Sequence, residues 1–338
     1  MKGMLYINDH RARLGMHHGT LMVSQPSGKR RIPIESLEGV VLTSRAEISN
    51  DAIGELVRRG VRIAALSRTG KLRFSIGGPV SGNVHLRLAQ FNASVSASET
   101  ARISRWIVAG KLQNCRRSIQ RWAWDSKGEK RTIMDHESRA ISDRIIDLGD
   151  TTDGDKIRGI EGDGTRRYFR CLALHLNTGD ETMNFVRRSR RPPRDRTNAV
   201  LSFTYGLVLA EIIGALEAIG LDPQVGFLHR PRSGRPSLAL DLLEELRPAL
   251  ADRFSVAVLS RKQIRSEHFE VVGSGFYLSD SGRDEFLNLY DAYRNDEVDH
   301  SLLHRKIGRS MLPIIQATLM ARYLRGDLPV YPPYLGAF

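Results

Sequence analysis

The sequence predicts an α+β protein in two parts: a small β-rich, sandwich-like N-terminal domain over residues 1–85, and a larger all-α domain over residues 86–338. Three observations carry this reading. The chain has 338 residues, whereas a single core stops growing at roughly 250 to 300. Short β-branched or alternating runs fill the first part. After Gly77-Gly78-Pro79 the apolar period lengthens from two to about 3.6 and stays there.

Taken in order, Leu5–Ile7, Leu21–Ser24, Val40–Thr43, Val61–Leu66 and Leu72–Ile76 read as strands. Turn chemistry separates them at His17-His18-Gly19, Pro26-Ser27-Gly28 and Thr69-Gly70, where Gly supplies positive φ and Pro presets the bend. One helix interrupts the strands. Ser49 is its N-cap, Ala52, Ile53, Leu56 and Val57 share a face, and Gly60 ends it. Helical spacing then covers Thr100–Trp124, Glu137–Leu148, Lys156–Leu176, Asn198–Ile219, Leu238–Leu246, Gly282–Tyr293 and Leu302–Tyr323. Ser126–Arg131 and Thr178–Arg196 are too polar to pack and read as loops.

Fifty-one Lys and Arg against 38 Asp and Glu leave a formal charge of +13, of which +8 falls in residues 1–90. Arginines crowd three stretches: Arg158 to Arg170, Arg187 to Arg196, and Arg230 to Arg235. Guanidinium grips phosphate with a bidentate fork, so this bias points to a polyanion, and nucleic acid is the commonest one. The two cysteines, Cys115 and Cys171, are too few for a disulfide framework, a four-cysteine zinc site or an iron–sulfur cluster. They fit a reducing cytosol, and the expected location is cytoplasmic. Met1–Arg13 lacks the order of a signal peptide. Ser202, Thr204, Glu211 and Glu217 interrupt the apolar stretch Ala199–Gly220, which reads as a helix buried in protein with no membrane partner.

Two segments can carry chemistry. In Gly226 to Pro248, Pro236-Ser237 starts a helix and Pro248 marks its end. Leu238, Ala239, Leu242, Leu243 and Leu246 fill the core arc, and Asp241 and Glu244 lie together on the other side. Adjacent carboxylates repel unless a cation or proton neutralises them. Oxygen ligands with one imidazole, here His229, suit Mg²⁺ or Mn²⁺. The alternative is a charged solvent face beside a surface histidine. In the second segment, Glu161 stands among Gly159, Gly162 and Gly164. Glycine weakens a helix, so the cluster implies close approach of a neighbouring helix, a DNA strand or a metal.

Ile157-Arg-Gly-Ile-Glu161-Gly with its following Tyr168-Phe169, the stretch from Arg191-Pro-Pro through Asn198 to Tyr205, and the run Gly226-Phe-Leu-His229 to Pro248 occur in this order. Together they resemble the CRISPR-associated spacer-acquisition integrase family, the universal nuclease subunit of CRISPR adaptation. The resemblance spans nearly the whole chain. It implies a metal-dependent DNA endonuclease and integrase that inserts captured DNA into a repeat array by 3′-hydroxyl transesterification. Glu161, His229 and Glu244 would be the Mg²⁺ or Mn²⁺ ligands, with Asp241 the neighbouring catalytic carboxylate. It also implies a homodimer and a small second CRISPR adaptation protein as partners. On this reading Arg230, Arg232 and Arg235 hold phosphates near the scissile bond, and Arg187, Arg188, Arg190 and Arg191 track backbone further away. Two rival readings are a metal-dependent nuclease acting on branched DNA or RNA in repair, and a non-catalytic nucleic-acid scaffold.

Overall fold

Eight short strands and one helix make up the first part of the chain in a computed structural model that describes residues 3–78, 83–176 and 181–336. The strands are β1 (Gly3–Ile7), β2 (Arg13–His17), β3 (Thr20–Gln25), β4 (Gly28–Ile32), β5 (Leu37–Leu42), β6 (Glu47–Ile48), β7 (Arg62–Leu66) and β8 (Leu72–Ile76), with α1 (Asn50–Arg58) between β6 and β7. One sheet runs β1-β5-β7-β8, parallel except at β8, and the other runs β4-β3-β2-β6. Alternate residues of both sheets, with Ala52 and Leu56 of α1, enclose one apolar cluster. Ser49 caps α1 by accepting from the Ala52 N–H. Strands β2, β4 and β6 lie outside the predicted runs. The β4 sequence Gly-Lys-Arg-Arg-Ile is exposed along most of its length and shows no buried alternation.

The second part is mainly helical: α2 (Val84–Val95), α3 (Ala97–Trp124), α4 (Gly128–Leu148), α5 (Gly154–Leu176), α6 (Arg196–Ile219), α7 (Ser237–Leu246), α8 (Arg253–Ser260), α9 (Asp280–Asn295) and α10 (Leu312–Leu324). Its large apolar cluster is distinct from that of the sheets and takes in Val41 of β5 and Leu66 of β7, the inner strands of the first sheet. Four expectations change. The helical part also holds two β-hairpins, β9 (Phe269–Val272) with β10 (Gly275–Leu278), and β11 (Glu297–His300) with β12 (Arg305–Gly308). The second hairpin occupies the start of the span expected as Leu302–Tyr323, so α10 begins only at Leu312. Helix α4 begins at Gly128, inside the expected loop Ser126–Arg131, because its exposed first turns need no apolar periodicity. Pro248 does not stop the chain's helical course. Without an N–H it cannot continue the α ladder, and Arg247–Asp252 forms a π-type turn that leads directly into α8. Pro79 and residues 178–180 of the expected Arg-rich loop lie outside the described residues.

Among the described residues one helix, Arg196–Ile219, is long and apolar enough to cross a membrane, yet 67% of its most apolar window is buried inside the fold. It is also where the two parts meet. A Cβ on Gly206 would lie 1.9 Å from the Gly70 carbonyl oxygen, so the β7–β8 turn rests directly on this helix. Arg294 of α9, almost fully buried, ion-pairs with Glu211 of α6 at 3.2 Å and Glu38 of β5 at 3.3 Å.

Candidate active site

Three helices and one loop build the site. Helix α3 lies against α5 at Gly164, where a Cβ would come within 2.2 Å of Leu112 Cδ2. The missing side chain lets the helices close, and Lys111, next to Leu112, reaches Glu161. A neighbouring helix is therefore what approaches this glycine; Gly159 and Gly162 face nothing within 4 Å. Gly226 does the same for the loop before α7, since a Cβ there would lie 2.8 Å from Asp241 Oδ2. The backbone settles onto the helix, and the N–H groups of Phe227, Leu228 and His229 donate to the Asp241 carboxylate at 2.6, 3.1 and 2.9 Å. His229 Nδ1 lies 2.7 Å from Asp241 Oδ1. Asp241 thus fixes the histidine ring from behind, in the manner of a carboxylate that orients a ligating imidazole. It does not share a partner with Glu244, as the side-by-side placement on the helix suggested. Burial pushes the Asp241 carboxyl above its usual range, against the lowering effect of His229.

Glu161 and Glu244 converge from α5 and α7. Both touch Lys111 Nζ, Glu244 Oε2 at 2.5 Å, while Arg247 Nη2 donates to Glu244 Oε1 at 3.0 Å and Thr165 Oγ1 to Glu161 Oε1 at 2.8 Å. Lys111 and Glu244 side chains are 2% and 6% exposed, so this is charge taken out of water and kept only by pairing. Burial lowers the Lys111 pKa; Glu244 and Glu161 outweigh it, and the net effect is to raise it. Burial likewise opposes ionisation of Glu244, but Arg247 and Lys111 hold its carboxyl down at about 2.

Among the described residues no three His, Cys, Asp or Glu side chains close on a common point. The donor set nevertheless fits a divalent cation, because two carboxylates from different helices already share one cation, the lysine ammonium. His229 Nε2 has no hydrogen-bond partner among the described residues, while Nδ1 is held by Asp241.

The predicted arginines divide. Arg188 donates to Asn198 Oδ1 at 2.7 Å and Ser202 Oγ at 2.9 Å. Arg235 donates to the Arg230 carbonyl and to Ser237 Oγ. Both hold the protein together. Arg230 reaches Asp155 at 3.6 Å, and Arg187, Arg190, Arg191, Arg230 and Arg232 are exposed. A groove of about 1050 Å³ runs between the β7–β8 turn and α7, and Arg190, Arg191, Arg232 and Arg247 line it. Arg247, which also holds Glu244, links the groove wall to the acidic site, although Glu161, His229 and Glu244 do not line the groove themselves.

Sequence reasoning missed Lys111 and Arg247. Lys111 falls inside the helical arc of Ile107, Val108, Leu112 and Cys115, all fully buried, and a lysine on an apolar arc is the signal that could have marked it. It also missed Tyr205 as a centre of charge. Both the Arg188 and the Arg247 guanidinium groups lie over its ring, at 5.1 and 4.7 Å from the centroid, and its hydroxyl donates to Asp252.

The model of the family described as CRISPR associated protein Cas1 matches residues 5–292, and the chain belongs to that family. A CRISPR-associated endonuclease Cas1 of Moorella thermoacetica is 37% identical over 98% of this chain and 97% of its own length. Of the solved structures, a casposase bound to integration product superposes with a TM-score of 0.81 at 20% identity, covering 97% of this chain and 92% of that one. A chain of a Cas6-RT-Cas1–Cas2 complex gives a TM-score of 0.82 at 18% identity, covering 100% of this chain and 36% of that one.

Proposed function

We propose that this enzyme of CRISPR adaptation joins captured DNA to a repeat array at the Glu161–Glu244 site, with Mg²⁺ or Mn²⁺ as its cofactor. The observation that carries the reading is the convergence of Glu161 and Glu244 on one buried cation, with Arg247 linking Glu244 to an arginine-lined groove. In joining, a 3′-hydroxyl oxygen bonds to phosphorus, the target strand's P–O3′ bond breaks, and a 3′-hydroxyl leaves. Water in the attacking position gives strand cleavage instead. A metal held by Glu161, Glu244 and His229 Nε2 would supply Lewis acidity at the phosphoryl oxygen and a more acidic attacking hydroxyl.

The chain's own residues do the rest. Asp241 keeps the imidazole facing one way, and Arg190, Arg191, Arg230 and Arg232 hold backbone phosphates. DNA as substrate is supported by this groove and by the casposase relative. A small second protein is supported by the relative solved with Cas2. The homodimer rests on the family resemblance. A cytoplasmic location is supported by two free, buried cysteines, Cys115 and Cys171.

A strand-transfer assay in Mn²⁺ tests the proposal. Glu161→Ala and His229→Ala should retain DNA binding and lose cleavage and joining. Variants that still join DNA would place the chemistry away from these residues, an unsubstituted protein that binds DNA without cleaving or joining it would be a scaffold, and cleavage confined to RNA or branched DNA would favour a repair nuclease.

A further inference from the structure

Lys111 sits where a metal-binding reading would seat the metal. Its ammonium touches Glu161 from α5 and Glu244 from α7, and its side chain is 2% exposed. Gly164, which admits Leu112 and so brings this turn of α3 onto α5, builds that position into the helix packing. An ammonium and a divalent ion make the same demand of a carboxylate pair, and one seat cannot hold both. Arg247 offers no substitute: it is held on the other oxygen of Glu244 at 3.0 Å and stacks on Tyr205. Lysine, by contrast, carries its charge on a flexible four-carbon stem that can swing away.

We propose that Lys111 is a resident counter-cation: its ammonium occupies the seat between Glu161 and Glu244 in the metal-free chain, and a divalent ion enters as that ammonium withdraws. The inference rests on the metal-site reading above and adds a competitor built into the chain. Without the ammonium, two carboxylates would face each other in a buried place, at a large desolvation cost. With it, the apparent metal affinity is reduced by the fraction of molecules in which the seat is free.

The test is calorimetric titration of Mn²⁺ into the full chain and into K111M, together with a crystal structure of the unsubstituted protein soaked in Mn²⁺. K111M should bind Mn²⁺ about tenfold more tightly if the seated state outweighs the withdrawn one by about ten to one. In the soaked crystal Nζ should have left the position between the two carboxylates. Equal or weaker binding by K111M, or Mn²⁺ bound with Nζ still touching both carboxylates, overturns this inference and leaves the metal site standing. Absence of Mn²⁺ binding in both proteins overturns the metal site as well. Should K111M fail to fold, the position of Nζ in the soaked crystal decides alone.

Discussion

Asp241 accepts four hydrogen bonds, three from consecutive backbone N–H groups and one contact with the His229 ring, so it shapes both the loop and the imidazole. Asp241→Asn would turn an amide N–H toward those donors. Metal-dependent cleavage should fall about 10- to 100-fold, the usual loss for a group behind a ligand, with DNA affinity unchanged in a mobility-shift assay. Asp252 makes a pH prediction. Burial raises its carboxyl from 3.8 to about 6, against the hydrogen bond from Tyr205. The folded state therefore holds the proton more tightly than the unfolded one, and stability falls as pH rises from about 4 to about 6, by about 3 kcal/mol. Urea denaturation of Asp252→Asn across that range should lack this component of the slope. The acids and His229 were legible in the sequence because their types and spacing imply chemistry. The partner of each acid was not, since Lys111 stands 50 residues from Glu161 and only the folded helices bring them together.

Helices α3 and α5 depend on one missing methyl. Gly164→Ala would gain about 1 kcal/mol of helix propensity, but its Cβ would meet Leu112 Cδ2 at 2.2 Å, and overpacking of this kind costs about 1–3 kcal/mol. Thermal melts should show a net loss that Leu112→Ala partly relieves. The long helices α3, α5 and α6 were legible because each carries many buried apolar residues at helical spacing. Strand β4 was not, because its residues are largely exposed and leave no period to read, and hairpin β9–β10 was not, because it buries only Gly275 and Leu278. The turn after α7 was hidden for another reason: proline marks a broken ladder without saying whether the chain turns or continues.

Across the whole molecule the excess of +13 resolves into paired and free charge. Arg188, Arg235 and Arg247 are committed to protein acceptors, leaving Arg190, Arg191 and Arg232 to face the groove. If about six phosphates are neutralised, DNA affinity should fall by roughly three decades or more between about 50 and 200 mM salt. Arg191→Ala or Arg232→Ala should each reduce the slope of log affinity on log salt by about one. Arg294 ties the sheets to the helices, and Arg294→Met would leave buried Glu211 without its cation, at about 3–5 kcal/mol in a denaturation measurement. The C-terminal segment reaches back to α7 and α3: Tyr331 and the Tyr334 N–H donate to Glu245, and Asn114 of α3 binds the Tyr334 carbonyl and the Gly336 N–H. These bonds join residues 86 to 222 positions apart. On the ribosome, helix α7 emerges well before residues 331–336, so Glu245 and Asn114 gain these partners only after a later stretch of chain has been made.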